Sequence, residues 1–223
     1  NDWVYKKPQV ICGEASFKYI IYAIDLAMKH EIDAVITAPI NKESLNMAGH
    51  HYCGHTEIFA EYTKTEKYGM MLASKNLRVI HVSTHCSLRE ACDRVKKERV
   101  LEVIKLAADG CKLLGISEPI IGVAGLNPHA SENGLFGNEE KNEIIPAIEE
   151  ARSLGIKVIG PEPPDTIFVK CLGGAYDIVV AMYHDQGHIP LKLSGFKMDP
   201  NSKAFTTMSG INCTIGLPII RSS

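Results

Sequence analysis

The sequence predicts an α/β fold in which helices cover both faces of a mostly parallel sheet. Two observations support this prediction. Short apolar runs, many of them rich in Val and Ile, alternate along the chain with longer amphipathic runs. Such alternation favours parallel strands, because the helices that connect them pack on both faces of the sheet. The chain of 223 residues, 45% of them hydrophobic, is long enough for one large α/β domain or two smaller lobes.

Eight apolar runs predict strands, because they are short, often rich in β-branched residues and often followed by Gly, Pro or Ser. In chain order they are Gln9–Cys12, Ala34–Thr37, Gly69–Ala73, Leu77–Val82, Ile120–Ala124, Lys157–Ile159, Asp177–Met182 and Asn212–Leu217.

Five further segments predict helices: Ser16–His30, Thr56–Tyr62, Leu88–Leu114, Glu139–Leu154 and Asp165–Leu172. The first repeats apolar residues along one side at a helical period, and the third does so over a greater length with Lys and Arg between them. The fourth carries acidic residues in its first turn, which favours a helix, and its Pro146 predicts a kink or a later start.

Composition and charge exclude some classes of partner. The formal charge is −2, from 24 basic and 26 acidic residues, which gives no indication of a nucleic-acid or membrane surface. No apolar run approaches the roughly 20 residues that a membrane helix needs. Seven cysteines without a C-x-x-C pair predict reduced thiols in a cytoplasmic protein. Because the chain opens without Met and stops just after a strand-like run, we expect it to be a fragment.

Three histidines follow apolar runs at the point where each run gives way to turn residues: His85 in V-S-T-H-C-S, His129 in G-L-N-P-H-A-S-E and His184 in M-Y-H-D-Q-G. Ligands of open parallel sheets gather beyond the carboxyl ends of the strands. Three imidazoles there can surround one divalent cation and leave positions open on it. The separations of 44 and 55 residues match no local motif, so separate structural histidines remain the alternative.

Five other side chains are candidates for binding an anionic substrate. Lys192 and Arg221 suit a phosphate or a carboxylate, with Asn212 as a neutral donor, although solvated surface charges are the ordinary alternative. His55 and Thr56 stand where a helix begins, and the N–H groups there favour anions. Helix capping is the alternative for that pair.

Two carboxylates stand near these candidates. Asp185 adjoins His184 and could orient it or act on the substrate. Asp165 follows a proline run, where it could cap a helix or serve as an active-site acid. The sequence has no G-x-G-x-x-G or Walker loop, so no residue is assigned to a nucleotide cofactor.

Seven motifs in one order carry a resemblance to a known family: I-T-A-P-I-N-K, G-H-T-E, S-T-H, G-L-N-P-H-A-S-E-N-G, G-P-x-P-P-D-T, M-Y-H-D-Q-G and I-G-L-P-I-I-R. Together they resemble the 4-hydroxythreonine-4-phosphate dehydrogenase family of vitamin B6 and pyridoxal phosphate biosynthesis. That family is similar in fold to isocitrate and isopropylmalate dehydrogenases. The resemblance implies two three-layer α/β/α lobes, parts of both in residues 1–223 with an unassigned boundary, and a homodimer.

The resemblance also implies roles for the candidate residues. His85, His129 and His184 match metal ligands that the family draws from both subunits. The substrate-binding positions match His55, Thr56, Lys192, Asn212 and Arg221. Asp165 and Asp185 match acidic residues near the reacting centre. Zinc suits three imidazoles, with magnesium, manganese and cobalt as alternatives.

The implied reaction is NAD-dependent oxidation of the secondary alcohol of a phosphorylated hydroxy acid, followed by decarboxylation of the keto acid. The substrate would be 4-hydroxythreonine 4-phosphate. A long segment between Lys192 and Asn212 instead resembles a branch that acts on 4-phosphothreonate or 4-phosphoerythronate. Family segments expected before Asn1 and after Ser223, the latter contacting the nicotinamide cofactor, are not in the sequence. A metal-dependent hydrolase or lyase and a non-catalytic paralogue are the alternatives of other classes.

Overall fold

The computed structural model describes residues 4–52 and 54–222, which form two compact units. Unit 1 contains the described residues up to Tyr68 and those from Gly216 onward, and unit 2 contains Gly69–Ile215. The helices are α1 Val10–Met28, α2 Lys42–Met47, α3 His55–Tyr62, α4 Leu88–Asp93, α5 Lys97–Leu113, α6 Ile145–Ser153, α7 Ile167–Leu172 and α8 His184–Gly195. The strands are β1 Ala34–Ile36, β2 Gly69–Ala73, β3 Arg78–His81, β4 Ile121–Ala124, β5 Val158–Glu162, β6 Ile178–Ala181, β7 Phe196–Met198, β8 Phe205–Met208, β9 Ile211–Ile215 and β10 Ile220–Ser222.

Unit 1 packs helices against a pair of parallel strands. Strands β1 and β10 pair with Val35 opposite Arg221. Helix α1 buries Phe17, Ile20 and Ile24 in a core that also contains residues of α2 and α3. The absence of a side chain at residue 13 lets α1 approach α2 closely, since a Cβ on Gly13 would lie 1.9 Å from the Ser44 carbonyl oxygen.

Unit 2 is a three-layer α/β/α structure. Its sheet has the order β9–β2–β3–β6–β4–β5, in which β3, β6, β4 and β5 run parallel and β2 runs antiparallel to both β3 and β9. Alternate residues of a strand point to opposite faces. Val180 accordingly packs in the core beneath α5 and α6, whereas Val179 packs in the core beneath α7 and α8. The predicted α/β class with a mostly parallel sheet is confirmed.

Most predicted strands and helices are present, with bounds that differ by a few residues. The strand predicted at Gln9–Cys12 is wrong, because these residues begin α1. A short apolar run fits either element, and Val10 and Ile11 are exposed on the helix surface. The long helix predicted at Leu88–Leu114 is two helices, α4 and α5, separated by an extended residue at Lys96.

Three features depart further from the sequence prediction. The segment Glu140–Ile144 is a π-helical turn and α6 begins at Ile145, so Pro146 marks the later start that it predicted. Helix α8 was not predicted, because the Gly and Pro of G-H-I-P-L-K are typical of loops. The long segment after Lys192 contains the antiparallel hairpin of β7 and β8. None of the described helices is long and apolar enough to cross a bilayer.

We predict that Gly187→Ala lowers the stability of unit 2. Gly187 lies on the buried side of α8, where a Cβ would come within 2.4 Å of His81 Nε2 and 2.5 Å of Val79 Cγ1. Forcing an extra methyl group into such a contact typically costs about 2 kcal/mol. Chemical denaturation of the two proteins measures the difference.

The control is Gly173→Ala, because Gly173 has a φ of −78° and its Cβ would make only an ordinary contact of 3.4 Å. Equal stability of the Gly187→Ala protein and the parent chain would show that α8 does not lie as close to β3 as described.

Candidate active site

The carboxyl ends of four neighbouring parallel strands form one edge of the unit 2 sheet. His85 follows β3, His184 follows β6, His129 follows β4 and Asp165 follows β5, each within five residues of the strand end. Because β3, β6, β4 and β5 are adjacent and parallel, these side chains belong to the loops of a single edge. The edge is the one at which open α/β sheets bind ligands.

His85 and His184 lie side by side at this edge. Their ring centroids are 5.8 Å apart, and both line a cavity of about 520 Å³ together with Cys86, Tyr183 and Asp185. His184 Nδ1 lies 2.6 Å from Asp185 Oδ1. This hydrogen bond is the main cause of the lowered pKa of Asp185. A carboxylate bound to Nδ1 orients the ring and leaves Nε2 available for a ligand.

The pair provides part of a metal-binding donor set. Two imidazoles, one of them oriented by a carboxylate, suit a borderline cation such as zinc or cobalt. Within residues 4–52 and 54–222 of one chain, however, no group of three His, Cys, Asp or Glu side chains is placed to hold a metal ion. The ring of His129 instead lies 6.1 Å from that of Phe136. One chain therefore brings two of the three predicted ligands together.

Two further histidines lie behind His184. The ring of His188 stacks on that of His184 with centroids 3.6 Å apart, and His188 Nδ1 lies 3.0 Å from the His184 carbonyl oxygen. His81 lies 4.8 Å from His188, ring to ring, and is almost fully buried. Burial is the main cause that lowers the pKa of His188 to about 4 and that of His81 to about 3. Both rings are therefore neutral near pH 7.

His129 lies in a left-handed turn. His129, Ala130, Ser131, Glu132 and Asn133 all have φ between 45° and 70°. Each such residue other than Gly costs roughly 1 kcal/mol, so the turn needs support from its surroundings. Part of that support comes from Ser131 Oγ, which donates to the Gly137 carbonyl oxygen at 2.7 Å and accepts from the Gly134 N–H at 2.8 Å.

The buried carboxylate of Glu140 supports the start of the same loop. Its Oε1 accepts the backbone N–H groups of Leu126 and Asn127 at 2.8 and 2.7 Å, and its Oε2 accepts the side-chain amide of Asn127 at 2.9 Å. Glu140 is only 2% exposed. The carboxylate thus fixes the backbone that leads from β4 to His129.

Asp165 and Asp185 line one groove of about 620 Å³ between α7 and α8. Asp165 lies one residue before Thr166, which is the N-cap residue of α7 and makes no side-chain capping bond. Lys192 lies on α8 and is exposed.

The remaining candidates of unit 1 lie around Arg221. Arg221 is 4% exposed on β10; it donates to Thr37 Oγ1 at 2.8 Å and its guanidinium carbon lies 5.9 Å from the centroid of the Phe59 ring. His55 and Thr56 are the first residues of α3, whose N-cap Gly54 offers no side chain. Burial, followed by the positive charge of Arg221, lowers the pKa of His55 to about 4. A neutral imidazole, a guanidinium and helix N–H groups together favour an anion.

Asn212 lies on β9 of unit 2, opposite Leu72 of β2. Its Oδ1 is buried and makes no hydrogen bond within the described structure. A buried amide oxygen without a donor is costly, and a bound ligand could supply one.

The sequence does not single out three buried polar residues near these loops: Glu140, Gln186 and His188. Glu140 looked like one more acidic residue of a helix first turn. Gln186 belongs to the motif M-Y-H-D-Q-G, in which His184 and Asp185 are the residues with evident chemistry. Each is buried, but no local pattern in the sequence distinguishes a buried polar residue from an exposed one.

Comparison with known proteins identifies the family. The family described as pyridoxal phosphate biosynthetic protein PdxA matches residues 3–223. The chain belongs to this family. PdxA relatives include D-threonate 4-phosphate dehydrogenases from Salmonella typhimurium, 48% identical over 97% of the chain, and from Pectobacterium atrosepticum, also 48% identical over 97%. The chain covers 63% and 64% of these two proteins, so it spans somewhat less than two thirds of their length.

A solved PdxA-family structure has the same fold. The 4-hydroxythreonine-4-phosphate dehydrogenase from Klebsiella pneumoniae is 46% identical and superimposes with a TM-score of 0.86. The match covers 97% of this chain and 63% of that one.

We predict that Glu140→Ala destabilises the loop that carries His129. The substitution leaves the N–H groups of Leu126 and Asn127 without their acceptor, which costs about 3 kcal/mol. Chemical denaturation measures the loss. The matched control is Glu149→Ala, because Glu149 is an exposed residue of α6 and its removal should change stability by less than about 0.5 kcal/mol. Equal effects of the two substitutions would contradict the role of Glu140.

We predict that His55 makes stability depend on pH between pH 6.5 and about pH 4. Its pKa is lower in the folded chain than in the unfolded one, so the unfolded chain binds the proton more tightly. The contribution of His55 is complete above pH 6.5 and is lost as the pH falls toward 4. Thermal denaturation across this range should show a shallower pH dependence for His55→Gln than for the parent chain. Identical profiles would refute the prediction.

Proposed function

We propose that the chain forms part of a metal-dependent, NAD-dependent dehydrogenase that oxidises the secondary alcohol of a phosphorylated hydroxy acid. The observation that carries the proposal is the His85–His184 pair, with Asp185 on His184, at the carboxyl edge of the parallel strands of a PdxA-family chain. Family relatives at 48% and 46% identity are named as dehydrogenases of such acids.

D-threonate 4-phosphate is the substrate that we propose first. Several curated relatives at 45–48% identity carry that name. 4-Hydroxythreonine 4-phosphate is the second candidate, supported by the family description, which refers to pyridoxal phosphate biosynthesis, and by the name of the Klebsiella protein. Erythronate 4-phosphate has the same carbon skeleton as threonate 4-phosphate and belongs in the same test.

The chain's own residues would bind and orient this substrate. Arg221, His55 and Thr56 offer one set of anion donors, and neutral His55 adds a donor without adding a second positive charge. Lys192 and Asn212 offer further donors, for the other anionic group and for a hydroxyl group. Asp165, which lines one groove with Asp185, would hold the proton that leaves the alcohol.

The metal and NAD would supply the remaining chemistry. His85 and His184 would hold the cation together with His129 of a second copy, and zinc suits these ligands better than magnesium or manganese. When bound, the cation would lower the pKa of the substrate alcohol and NAD⁺ would accept its hydride, and the resulting keto acid could lose CO₂. Asp185 would keep the His184 ring in one orientation throughout.

A homodimer would complete this ligand set. The groove between α7 and α8 has exposed apolar side chains, namely Val169, Leu172, Ile189 and Leu193, next to Asp165 and Asp185. Exposed apolar clusters of this kind mark interaction surfaces. A second copy that covers the groove would bury these apolar side chains.

Buried Cys111 and Cys171, whose pKa burial raises to about 11, are consistent with a reducing cytoplasm.

We predict that the full-length enzyme forms NADH with a phosphorylated four-carbon hydroxy acid, and that His184→Ala lowers kcat/KM by more than about 100-fold. Absorbance of NADH measures the rate with D-threonate 4-phosphate, 4-hydroxythreonine 4-phosphate and erythronate 4-phosphate in turn. His51→Ala is the matched control, because His51 is an exposed histidine of unit 1 that bonds Asn46. Elemental analysis of the purified protein identifies the metal.

Two results would overturn the proposal. Product released from these substrates without NADH would indicate a metal-dependent hydrolase or lyase. Full activity of the His184→Ala enzyme would show that the histidine pair does not hold the catalytic cation.

A further inference from the structure

The buried amide of Gln186 lies between the ends of two strands that carry predicted metal ligands. The parallel ladder of β4 and β6 includes the pair Val123 and Val180. Gly125 and Met182 lie two residues beyond this pair, and the side chain of Gln186 bonds to the backbone of both. Its Oε1 accepts the N–H of Met182 at 2.6 Å, and its Nε2 donates to the carbonyl oxygen of Gly125 at 2.8 Å.

The carboxamide of Gln186 supplies both the acceptor and the donor that this pair of bonds needs. One partner is a donor and the other an acceptor, so the orientation of the Gln186 amide is fixed. A carboxylate would keep the bond to Met182 but would place an oxygen against the Gly125 carbonyl. Gln186 is 8% exposed, so loss of either bond leaves a buried backbone group unsatisfied.

The amide connects the start of α8, which carries His184, with the loop that leads to His129. Gln186 lies in the first turn of α8, two residues after His184. Gly125 begins the loop to His129 and lies against its left-handed turn, since a Cβ on Gly125 would be 2.8 Å from the Cα of Ala130. Glu140 then holds Leu126 and Asn127, the next two residues of the same loop. A line of contacts therefore runs from His184 through buried Gln186 and Gly125 to the turn that contains His129.

We propose that Gln186 is a positioning residue that sets the loops of His184 and His129 in fixed relation to each other. The inference rests on the proposed function, because it concerns two of the proposed metal ligands. If His129 serves the metal site of the partner subunit, the Gln186 bridge connects the ligands of both sites of a dimer.

The first arm of the test needs no metal. Amide hydrogen exchange is followed in the metal-free full-length protein for the parent, Gln186→Met and Gln186→Glu. Gln186→Met removes both bonds, so exchange at Met182 and over residues 126–133 should become about tenfold faster. Gln186→Glu keeps the acceptor for Met182, so exchange there should stay within about twofold while residues 126–133 again exchange faster.

The second arm measures metal binding directly. Co²⁺ is titrated into the same proteins and its visible absorption is recorded. Both Gln186 variants should bind Co²⁺ about 10–100-fold more weakly than the parent, with an altered spectrum.

Two controls separate positioning from general loss of stability. Gln9→Met makes the same substitution at the only other glutamine of this sequence, in unit 1. Ile148→Val trims a fully buried residue of α6 and lowers stability without removing either hydrogen bond of Gln186. Both should leave the Co²⁺ affinity and the exchange at Met182 close to those of the parent.

The outcomes are distinguishable. Exchange over residues 126–133 at the parent rate in both Gln186 variants would overturn the inference, as would a loss of Co²⁺ affinity in Ile148→Val equal to theirs. A parent protein that binds no Co²⁺ would overturn the proposed function, and the exchange arm would still decide whether Gln186 couples the two loops.

Discussion

The alignment of four parallel strands is the constraint on which the candidate site depends. Strands β3, β6, β4 and β5 are held side by side by their ladders, and β6 and β4 are fully buried between the two layers of helices. Because they are parallel, their carboxyl ends meet at one edge. Residues far apart in the sequence, such as His85 and His184, become neighbours there without any local motif that joins them.

At that edge, side chains replace the neighbouring strand as the hydrogen-bond partners of backbone groups. Beyond the last paired residues the strands separate, and buried side chains take over the N–H and C=O groups that the ladder no longer satisfies. Gln186 and Glu140 both do this. Polar groups buried in this way must be fully bonded, so they also fix the loops rigidly.

The sequence predicts the sheet well and its edge poorly. Runs such as Gly69–Ala73 become strands with the predicted bounds, because a fully buried strand is apolar throughout. Helix α8 cannot be predicted from the sequence, because Gly187 and Pro190 are unfavourable inside a helix. Close packing of Gly187 against β3 accounts for the helix there. Histidines could be picked out by their position after apolar runs. The carboxylate of Glu140 could not, because its role depends on a loop that precedes it by thirteen residues or more.

The glycine at position 187 has a consequence for the chemistry of the edge. Helix α8 rests on β3 at a depth set by a missing methyl group, and His184 is carried on the same helix turn. The position of the His184 imidazole relative to the sheet is therefore determined by Gly187, which packs on His81 and Val79 beneath it. Substitutions in the packing layer beneath α8 would therefore change the position of the His184 ring without altering any residue at the edge itself.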